Sequence, residues 1–409
     1  MQCYRARWIV PVAAPPIEDG ALLVADGAIV AVGPFREHRM PDVVDLGDAI
    51  LLPGLINAHT HLELPAISGQ LPRDSLWSWL DALIGRLRAS GGRDERAATV
   101  AAGAVESIRG GVTCVADISR TGANVRPLSV SPIRKVCFIE LISGAGQCPS
   151  DAGELFGLVA APAALSEPGR LLIGVSPHSL YNVTESDLAA IGRRLVDSPR
   201  PMTVHFLEAQ DEARWLRDRS GPAADFRHRH PLREVRDYPS GDAVDILARC
   251  GLLGVRPILA HGNDVQPADF PTLAAAGASV VWCPRTCAYF GHGPHPWGSM
   301  LRAGLNVCLG TDSLASNPDL SILEEMRYVR RHVASAPAST ILKMATIFAA
   351  RALGLDAWIG QLAAGRRADF VCVPWDGDGA SDPVGNLLEG PGAAGGVWID
   401  GIRVDVPVA

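Results

Sequence analysis

Lysine is almost absent from this 409-residue chain, and the basic residues form no cluster. Only Lys135 and Lys343 are lysines, the other basic residues are arginines, and the formal net charge is −7. A nucleic-acid-binding domain usually carries a concentrated basic patch. The composition therefore argues against a nucleic-acid partner and favours a small-molecule partner.

Long apolar runs are also missing. No run approaches the roughly 20 residues of a membrane-spanning helix, which argues against a membrane partner. The apolar segment at residues 8–12 follows Arg5 and Arg7 as in a signal peptide, but it is short and contains Pro11. The nine cysteines are scattered, which is typical of core thiols in a reducing compartment. We therefore predict a cytoplasmic protein.

Two common site motifs are absent as well. Cys283 and Cys287 are four residues apart, but a zinc ribbon needs a second pair, and Pro284 interrupts this one. No Gly-x-Gly-x-x-Gly motif follows the first strand of the central region, which makes a doubly wound dinucleotide-binding sheet the weaker alternative there.

Short β-type runs are present at both ends of the chain. Residues 21–24 and 28–33 flank Asp26-Gly27, a dipeptide typical of a tight hairpin. Similar runs return at residues 368–373 and 396–401. We predict that residues 1–52 and 356–409 together build a small β-sandwich domain.

Between these ends, residues 53–355 alternate apolar runs with helical stretches such as 95–109, 185–196 and 242–249. This alternation is typical of an α/β protein with a parallel sheet. Eight such units predict a (β/α)8 TIM barrel. The predicted strands are residues 55–59, 112–117, 136–141, 171–176, 202–206, 257–261, 279–282 and 306–310.

Polar residues end nearly every predicted strand, where barrel enzymes carry their chemistry. His59 and His61 are two apart on the first strand, so both imidazoles face the same side and can converge on one cation. The alternative is a pair of hydrogen-bonding histidines, but five of the eleven histidines stand at strand ends. The full strand-end set is His59, His61, Asp117, Glu140, His178, His205, His261, Arg285 and Asp312.

Glu208 follows His205 by three residues, close enough to share its pocket. A carboxylate beside a metal-bound water can accept a proton and return it to a leaving group. The alternative is a solvent-facing loop residue, since Asp211 and Glu212 are nearby. His261 is a metal ligand or a hydrogen-bond donor to the hydroxide or substrate, and a carboxylate at Asp312 completes three histidines and one acid.

Four segments, 53–61, 205–208, 260–262 and 310–313, resemble in this order the motifs of the amidohydrolase superfamily. Residues 17–24 and 359–369 are similar to segments of its flanking β-sandwich, so the resemblance covers essentially the whole chain. The most similar branch is the aminohydrolases, which include chlorohydrolases, methylthioadenosine/S-adenosylhomocysteine deaminases and aminodeoxyfutalosine deaminases.

This resemblance implies one divalent metal, Zn²⁺ or alternatively Fe²⁺. Binuclear relatives need a carboxylated lysine at the end of the fourth strand, where this chain has Pro177-His178. It further implies that Glu208 is the proton shuttle and that His261 and Asp312 take part in catalysis by stabilising the adduct. The implied metal ligands are His59, His61, His205 and Asp312.

The resemblance also implies substrate contacts. His178 matches the position that holds a nucleoside sugar, with a loop-stabilising role as the alternative. We expect Arg285 to reach a carboxylate or carbonyl of the substrate; the alternative is a structural ion pair. We expect Trp77 and His292 to line the pocket; the alternative is ordinary packing. The chain departs from the methylthioadenosine deaminases at Arg285, and it shows no acid for the ribose near residues 85–88.

The expected function is a metal-dependent hydrolytic deaminase, in which a metal-bound hydroxide attacks a ring carbon of an aminopurine nucleoside and ammonia leaves. A 5′-modified adenosine such as aminodeoxyfutalosine is the expected substrate. Two alternative activities would use the same site: that of a triazine or pterin amino- or chlorohydrolase, and that of a cyclic amidase. A non-enzyme alternative is an inactive relative that serves as a scaffold. A homodimer is expected only because it is the commonest closed assembly.

Overall fold

Strands and helices alternate along most of the chain in the computed structural model, which describes residues 1–38, 40–89, 93–146, 148–160, 169–231, 237–377 and 382–405. The described strands are β1 (Gln2–Ile9), β2 (Ile17–Ala25), β3 (Ala28–Pro34), β4 (Val43–Asp45), β5 (Ala49–Pro53), β6 (Leu55–Thr60), β7 (Val112–Ser119), β8 (Arg134–Leu141), β9 (Leu171–Pro177), β10 (Thr203–Phe206), β11 (Ile258–His261), β12 (Ser279–Trp282), β13 (Asn306–Leu309), β14 (Phe370–Pro374), β15 (Gly396–Ile399) and β16 (Ile402–Arg403). The described α-helices are α1 (Leu76–Ala89), α2 (Arg93–Arg109), α3 (Val125–Ser129), α4 (Ala152–Ala160), α5 (Glu185–Asp197), α6 (Gln210–Asp218), α7 (Pro222–Arg229), α8 (Ala243–Arg249), α9 (Phe270–Ala275), α10 (Pro284–Tyr289), α11 (Trp297–Arg302), α12 (Ile322–His332), α13 (Ala338–Met344), α14 (Ile347–Ala352) and α15 (Pro383–Glu389).

Strands from the two ends of the chain share one sheet. Within the described ranges its order is β16-β15-β14-β5-β1-β2-β3, and β4 pairs with β1. β14 lies antiparallel to β5, so the two ends meet at this pair. The predicted hairpin joins β2 to β3, and Asp26 and Gly27 take φ values of 51° and 73°, as a tight hairpin turn requires. Strands from residues 2–53 and 370–403 therefore belong to one sheet.

The parallel strands form two sheets of four in the described part of the chain, β6-β7-β8-β9 and β10-β11-β12-β13. Parallel bridges from Val175 to Met202 and from Thr60 to Asp312 link the edges of the two sheets. Helices separate each strand from the next between β6 and β13, so the α/β prediction is confirmed. The ends of all eight predicted strands agree with the structure to within two residues.

Alternate residues of the parallel strands enter two different apolar clusters. Every residue of β7 and β8 is buried, as expected for parallel strands that are covered on both faces. Small side chains such as Cys114, Ala116 and Cys308 pack with Phe138 in one cluster, which also includes residues of α14. All nine cysteines are free thiols, and eight of them are buried, in agreement with the prediction of core thiols.

A buried ion pair connects the parallel strands to the sheet built from the chain ends. Arg134 of β8 donates to both carboxylate oxygens of Asp369, at 2.5 and 2.9 Å, and to the carbonyl of Gly169 at 2.6 Å. Arg134 also contacts Asp400, beyond β15. Such a bidentate pair fixes the relative position of the two groups of strands.

None of the described helices is both long enough and apolar enough to cross a membrane. Cys283 and Cys287 belong to neither of the two groups of potential metal ligands found among the described residues. The three histidines of one of these groups, His59, His61 and His205, lie at the carboxyl ends of β6 and β10.

A candidate metal centre at the carboxyl ends of the parallel strands

Three histidines and one aspartate meet at the carboxyl ends of the parallel strands. A ring nitrogen from each of His59, His61 and His205 lies within 4.8 Å of the other two. The Nε2 atoms of His61 and His205 are 3.1 Å apart. Oδ1 of Asp312 is 3.6 Å from His61 Nε2 and 3.8 Å from His59 Nε2. The structure thus brings the four predicted ligands together.

Asp312 is positioned by hydrogen bonds between the loop after β13 and the end of β6. Its backbone N–H donates to the carbonyl of His59 at 3.1 Å, and Thr60 Oγ1 donates to the carbonyl of Asp312 at 2.8 Å. Ser316 Oγ donates to Asp312 Oδ2 at 2.7 Å, which leaves Oδ1 facing the histidines. Gly310 permits this approach, because a Cβ there would stand 2.9 Å from the carbonyl oxygen of His59.

The imidazoles of this group suit a bound cation. Burial lowers the pKa of His59 and His61 well below the ordinary value, and it lowers the pKa of His205 to about 4, so the rings are neutral. Nδ1 of His205 donates to the carbonyl of His178 at 2.9 Å, so the lone pair is on Nε2, facing His61. Both ring nitrogens of His59 are buried without a hydrogen-bond partner among the described residues. Three neutral imidazoles and a carboxylate fit a divalent metal.

Glu208 and His261 lie beside this group, with 3.6 Å between Glu208 Oε2 and His261 Nε2. Burial, followed by the charges of Asp312 and Glu212, raises the pKa of Glu208 well above the ordinary value. Glu212 also fixes the turn into α6, because its Oε1 accepts the backbone N–H of Glu208 at 2.9 Å. The arrangement places a carboxyl group that can hold a proton next to a candidate metal site.

The backbone is strained at or just beyond the carboxyl ends of β10, β11 and β13. Leu207, His261 and Asp312 have φ values of 48°, 69° and 59°, in the left-handed region that non-glycine residues rarely adopt. Such conformations are typically retained where the surrounding structure holds functional groups in place. Here they lie directly before Glu208, at His261 itself and at the candidate ligand Asp312.

A cavity of about 640 Å³ opens onto this group of residues, a volume within the range of small-molecule sites. His61, His205, Glu208, His261 and Asp312 all contribute to its lining. One wall is apolar and comes from α1. That wall consists of Leu76, Trp79, Leu80, Leu83, Ile84 and Leu87.

His178 lies in the same cavity, as the sequence predicts. Its ring stacks on the ring of His205, with 4.8 Å between the centroids. Nδ1 of His178 is 2.9 Å from Ser179 Oγ and 3.3 Å from Asn182 Nδ2, so one ring nitrogen is held by the loop after β9.

Arg285 does not reach the cavity, contrary to the expected substrate contact. Its guanidinium donates to both carboxylate oxygens of Asp319, at 2.7 and 2.8 Å, and to Glu325 Oε1 at 2.8 Å. Two carboxylates thus occupy the guanidinium, and Arg285 is not among the cavity-lining residues. The contacts are those of a structural ion pair, the alternative role for this residue.

Trp77 and His292 also fall outside the cavity that holds the metal centre. They line a neighbouring cavity of about 520 Å³, which shares Glu208 and Leu76 with the first. The indole Nε1 of Trp77 donates to Asp211 Oδ2 at 3.3 Å, and its ring packs against Phe226. Packing against α7 therefore turns Trp77 away from the metal centre.

Other residues of the cavity were not predicted as site residues. Glu140 belongs to the set of polar strand ends, but no spacing marks it as functional. Arg120, Asn182 and Arg227 lie in the loops after β7 and β9 and in α7, where the sequence gives no signal. The same holds for the apolar face of α1, whose direction depends on tertiary packing.

The model of the amidohydrolase family matches residues 50–401 of this chain. The chain belongs to the amidohydrolase family. The predicted membership is confirmed, and this amidohydrolase is a hydrolase that acts on carbon–nitrogen bonds. One relative, the 5-methylthioadenosine/S-adenosylhomocysteine deaminase 1 of Syntrophus aciditrophicus (strain SB), is 30% identical over 379 residues, which cover 87% of this chain and 80% of the relative.

Solved structures of similar fold include an adenosine deaminase from Xanthomonas campestris with bound zinc. It is 27% identical with a TM-score of 0.82, and the match covers 98% of this amidohydrolase and 92% of that chain. The aminofutalosine deaminase of Helicobacter pylori, in complex with methylthio-coformycin, has a TM-score of 0.86 over 99% of this chain and 100% of its own. At 20% identity, the second likeness concerns the fold alone.

Proposed function

We propose that this amidohydrolase is a metal-dependent hydrolytic deaminase that releases ammonia from an adenine nucleoside. The observation that carries the proposal is the meeting of three neutral histidines and Asp312 beside the buried Glu208, in a cavity of about 640 Å³. The 30% identity to a methylthioadenosine/S-adenosylhomocysteine deaminase and the 27% identity to a zinc-containing adenosine deaminase support the nucleoside class.

We assign a single divalent metal to His59, His61, His205 and Asp312. Zn²⁺ is the proposed ion, supported by the zinc bound in the similar adenosine deaminase. Fe²⁺ is the second candidate, because the same donors suit it. When bound, the ion supplies Lewis acidity and makes a water molecule acidic enough to react near neutral pH.

Glu208 moves the protons in the proposed reaction. It accepts a proton from the attacking water and delivers it to the ring nitrogen next to the carbon that carries the amino group. The oxygen adds to that carbon, the amino group leaves as ammonia with the second proton, and a carbonyl remains. His261 donates a hydrogen bond to the added oxygen, and Asp312 stabilises the same tetrahedral adduct.

The proposed substrate is a 5′-modified adenosine. The apolar face of α1 offers a surface for a bulky substituent beyond the nucleoside. Arg227 also lines the cavity, and among the described residues its guanidinium donates only to the neutral Asn182 and Tyr238. An apolar substituent that carries an acidic group, as in aminodeoxyfutalosine, matches both features.

We also propose that the two parallel sheets are halves of one closed (β/α)8 barrel over residues 53–355. The bridges Val175–Met202 and Thr60–Asp312 between their edges support this closure. Residues 1–52 and 356–409 are the proposed β-sandwich domain. The free thiols support a cytoplasmic location, and a homodimer is proposed on its general frequency alone.

The test of the function is ammonia release by purified protein of known metal content. The panel contains adenosine, methylthioadenosine, S-adenosylhomocysteine, aminodeoxyfutalosine, guanine, pterins and triazines. Activity on a 5′-modified adenosine at least ten times that on the free bases supports the proposal. Activity confined to a pterin or triazine, or no ammonia from any compound by metal-loaded protein, overturns it.

A further inference from the structure

Glu140 is a buried carboxylate to which the proposed mechanism gives no role. It lies near the end of β8, is 2% exposed, and contributes to the lining of the cavity. Oε1 is fully buried without a hydrogen-bond partner, and no described residue donates to either carboxylate oxygen. The guanidinium of Arg120 lines the same cavity but forms no hydrogen bond with Glu140 among the described residues. A buried acceptor without a hydrogen bond costs free energy, so a ligand that donates a hydrogen bond to Glu140 would recover this cost.

A second metal ion does not explain Glu140. A carboxylate oxygen of Glu140 and ring nitrogens of His178 and His205 lie within 4.8 Å of one another, the spacing of metal ligands. A cation there needs a lone pair from His205. Its Nδ1 donates to the carbonyl of His178, however, and its Nε2 faces His61 at 3.1 Å. His205 therefore serves only the metal centre already described.

The proton of His178 is placed by a chain of hydrogen bonds. Arg227 Nη1 donates to Asn182 Oδ1 at 3.1 Å, which orients the amide so that its Nδ2 meets His178 Nδ1 at 3.3 Å. Nδ1 of His178 therefore accepts, and the ring proton is on Nε2. Within the described ranges Nε2 has no acceptor. A ring nitrogen of His178 lies within 4.8 Å of a carboxylate oxygen of Glu140, so the two side chains stand side by side in the cavity.

We infer that Glu140 and His178 together form a subsite for the hydroxyl groups of the substrate sugar. A hydroxyl both donates and accepts, so it can donate to Glu140 while it accepts from His178 Nε2–H. A vicinal diol can use both carboxylate oxygens, one for each hydroxyl. The inference rests on the proposed nucleoside deaminase and adds a specificity-determining residue, Glu140, that the family resemblance does not assign.

The test compares adenosine, 2′-deoxyadenosine and 3′-deoxyadenosine as substrates of the wild-type protein and of the variant Glu140→Gln. We expect removal of one hydroxyl to lower the wild-type kcat/KM roughly 10- to 100-fold, as loss of a hydrogen bond that leaves a buried partner unpaired does. In the variant, kcat/KM for adenosine falls by a similar factor. Removal of the same hydroxyl should then lower the kcat/KM of the variant by only about 3-fold or less.

Glu63→Gln is the matched control, because Glu63 is also a buried carboxylate but lies outside the cavity lining and accepts the backbone N–H of Arg120. This control should keep the wild-type discrimination between adenosine and its deoxy analogues. Thermal unfolding and metal content establish that each variant is folded. Glu140→Leu, which removes the acceptor and leaves no buried charge, is the second variant if Glu140→Gln does not fold.

An unchanged ratio between adenosine and both deoxy analogues in folded Glu140→Gln would overturn the inference, and so would a wild-type protein indifferent to both hydroxyls. In either case nucleosides are still deaminated, and the proposed function stands. If the wild-type protein deaminates no nucleoside, the proposed function fails, and the sugar subsite fails with it. The two failures are therefore distinguishable.

Discussion

At the residue scale, the environment of Glu208 decides what its carboxyl group can do. Burial beside Asp312 and Glu212 raises the pKa of Glu208 well above the ordinary value. A cation held by the neighbouring histidines favours the ionised form and opposes this shift. These opposing effects can bring the carboxyl close to balance between its two forms, as a group that accepts and then returns one proton requires.

Replacing Glu208 by Gln should therefore remove deamination and leave the metal in place. The amide cannot accept the proton, and loss of a general acid–base group typically costs roughly 100- to 10,000-fold in rate. The measurement is kcat on the best nucleoside substrate, together with metal analysis of the same preparation.

Asp211→Asn is the control for this change. Asp211 lies three residues further along, but its carboxylate accepts the indole N–H of Trp77 and does not line the main cavity. We expect it to keep most of the activity. A Glu208→Gln enzyme as active as the wild type would remove Glu208 from the mechanism.

At the element scale, the parallel strands could be predicted because strands buried on both faces read as continuous apolar runs. The carboxyl ends of such strands meet, so the sequence was enough to place His59, His205 and Asp312 together. The direction of Arg285 could not be predicted, because Asp319 and Glu325 come from a later loop and from α12. The apolar wall of α1 and the Asn182–Arg227 contact likewise depend on packing between distant elements.

The contact between β8 and the sheet of the chain ends yields a stability prediction. Asp369→Ala removes one of the two carboxylates that pair with Arg134, whose side chain is 3% exposed, and leaves only Asp400 to balance the buried charge. We expect the free energy of unfolding to fall by about 2–3 kcal/mol, because Asp400 still compensates the charge. Urea denaturation of the metal-loaded protein measures it.

Glu389→Gln is the surface control, because Glu389 pairs with Arg330 but is 59% exposed. Its effect should stay within about 1 kcal/mol, since exposed ion pairs contribute little. Equal effects of the two substitutions would argue that the Arg134 pair does not hold the two groups of strands together.

At the scale of the whole molecule, buried acids make stability depend on pH. Burial raises the pKa of Glu140 to about 8, from an ordinary value of 4.5, while Arg120 opposes the shift and Glu63 adds to it. The folded state thus holds this proton more tightly than the unfolded chain. Glu140 therefore lowers the stability of the folded state most above pH 8. This loss of stability develops as the pH rises from about 4.5 to about 8.

Glu140→Gln should cancel this loss. The variant and the wild type should have similar unfolding free energies near pH 4.5, and the variant should become more stable by several kcal/mol as the pH approaches 8. Urea denaturation of metal-free protein across this range measures the difference, in which the contributions of the histidines cancel. A difference that stays constant with pH would contradict the burial of an ionisable Glu140.

The central claim is that one metal ion, held by three histidines and an aspartate, makes this amidohydrolase a nucleoside deaminase. The most direct measurement is a titration of metal-free protein with Zn²⁺, following ammonia release from the best 5′-modified adenosine. Activity should rise from background in proportion to added zinc and level off at one equivalent per chain. Full activity without metal, or a rise that continues to two equivalents, would contradict the account.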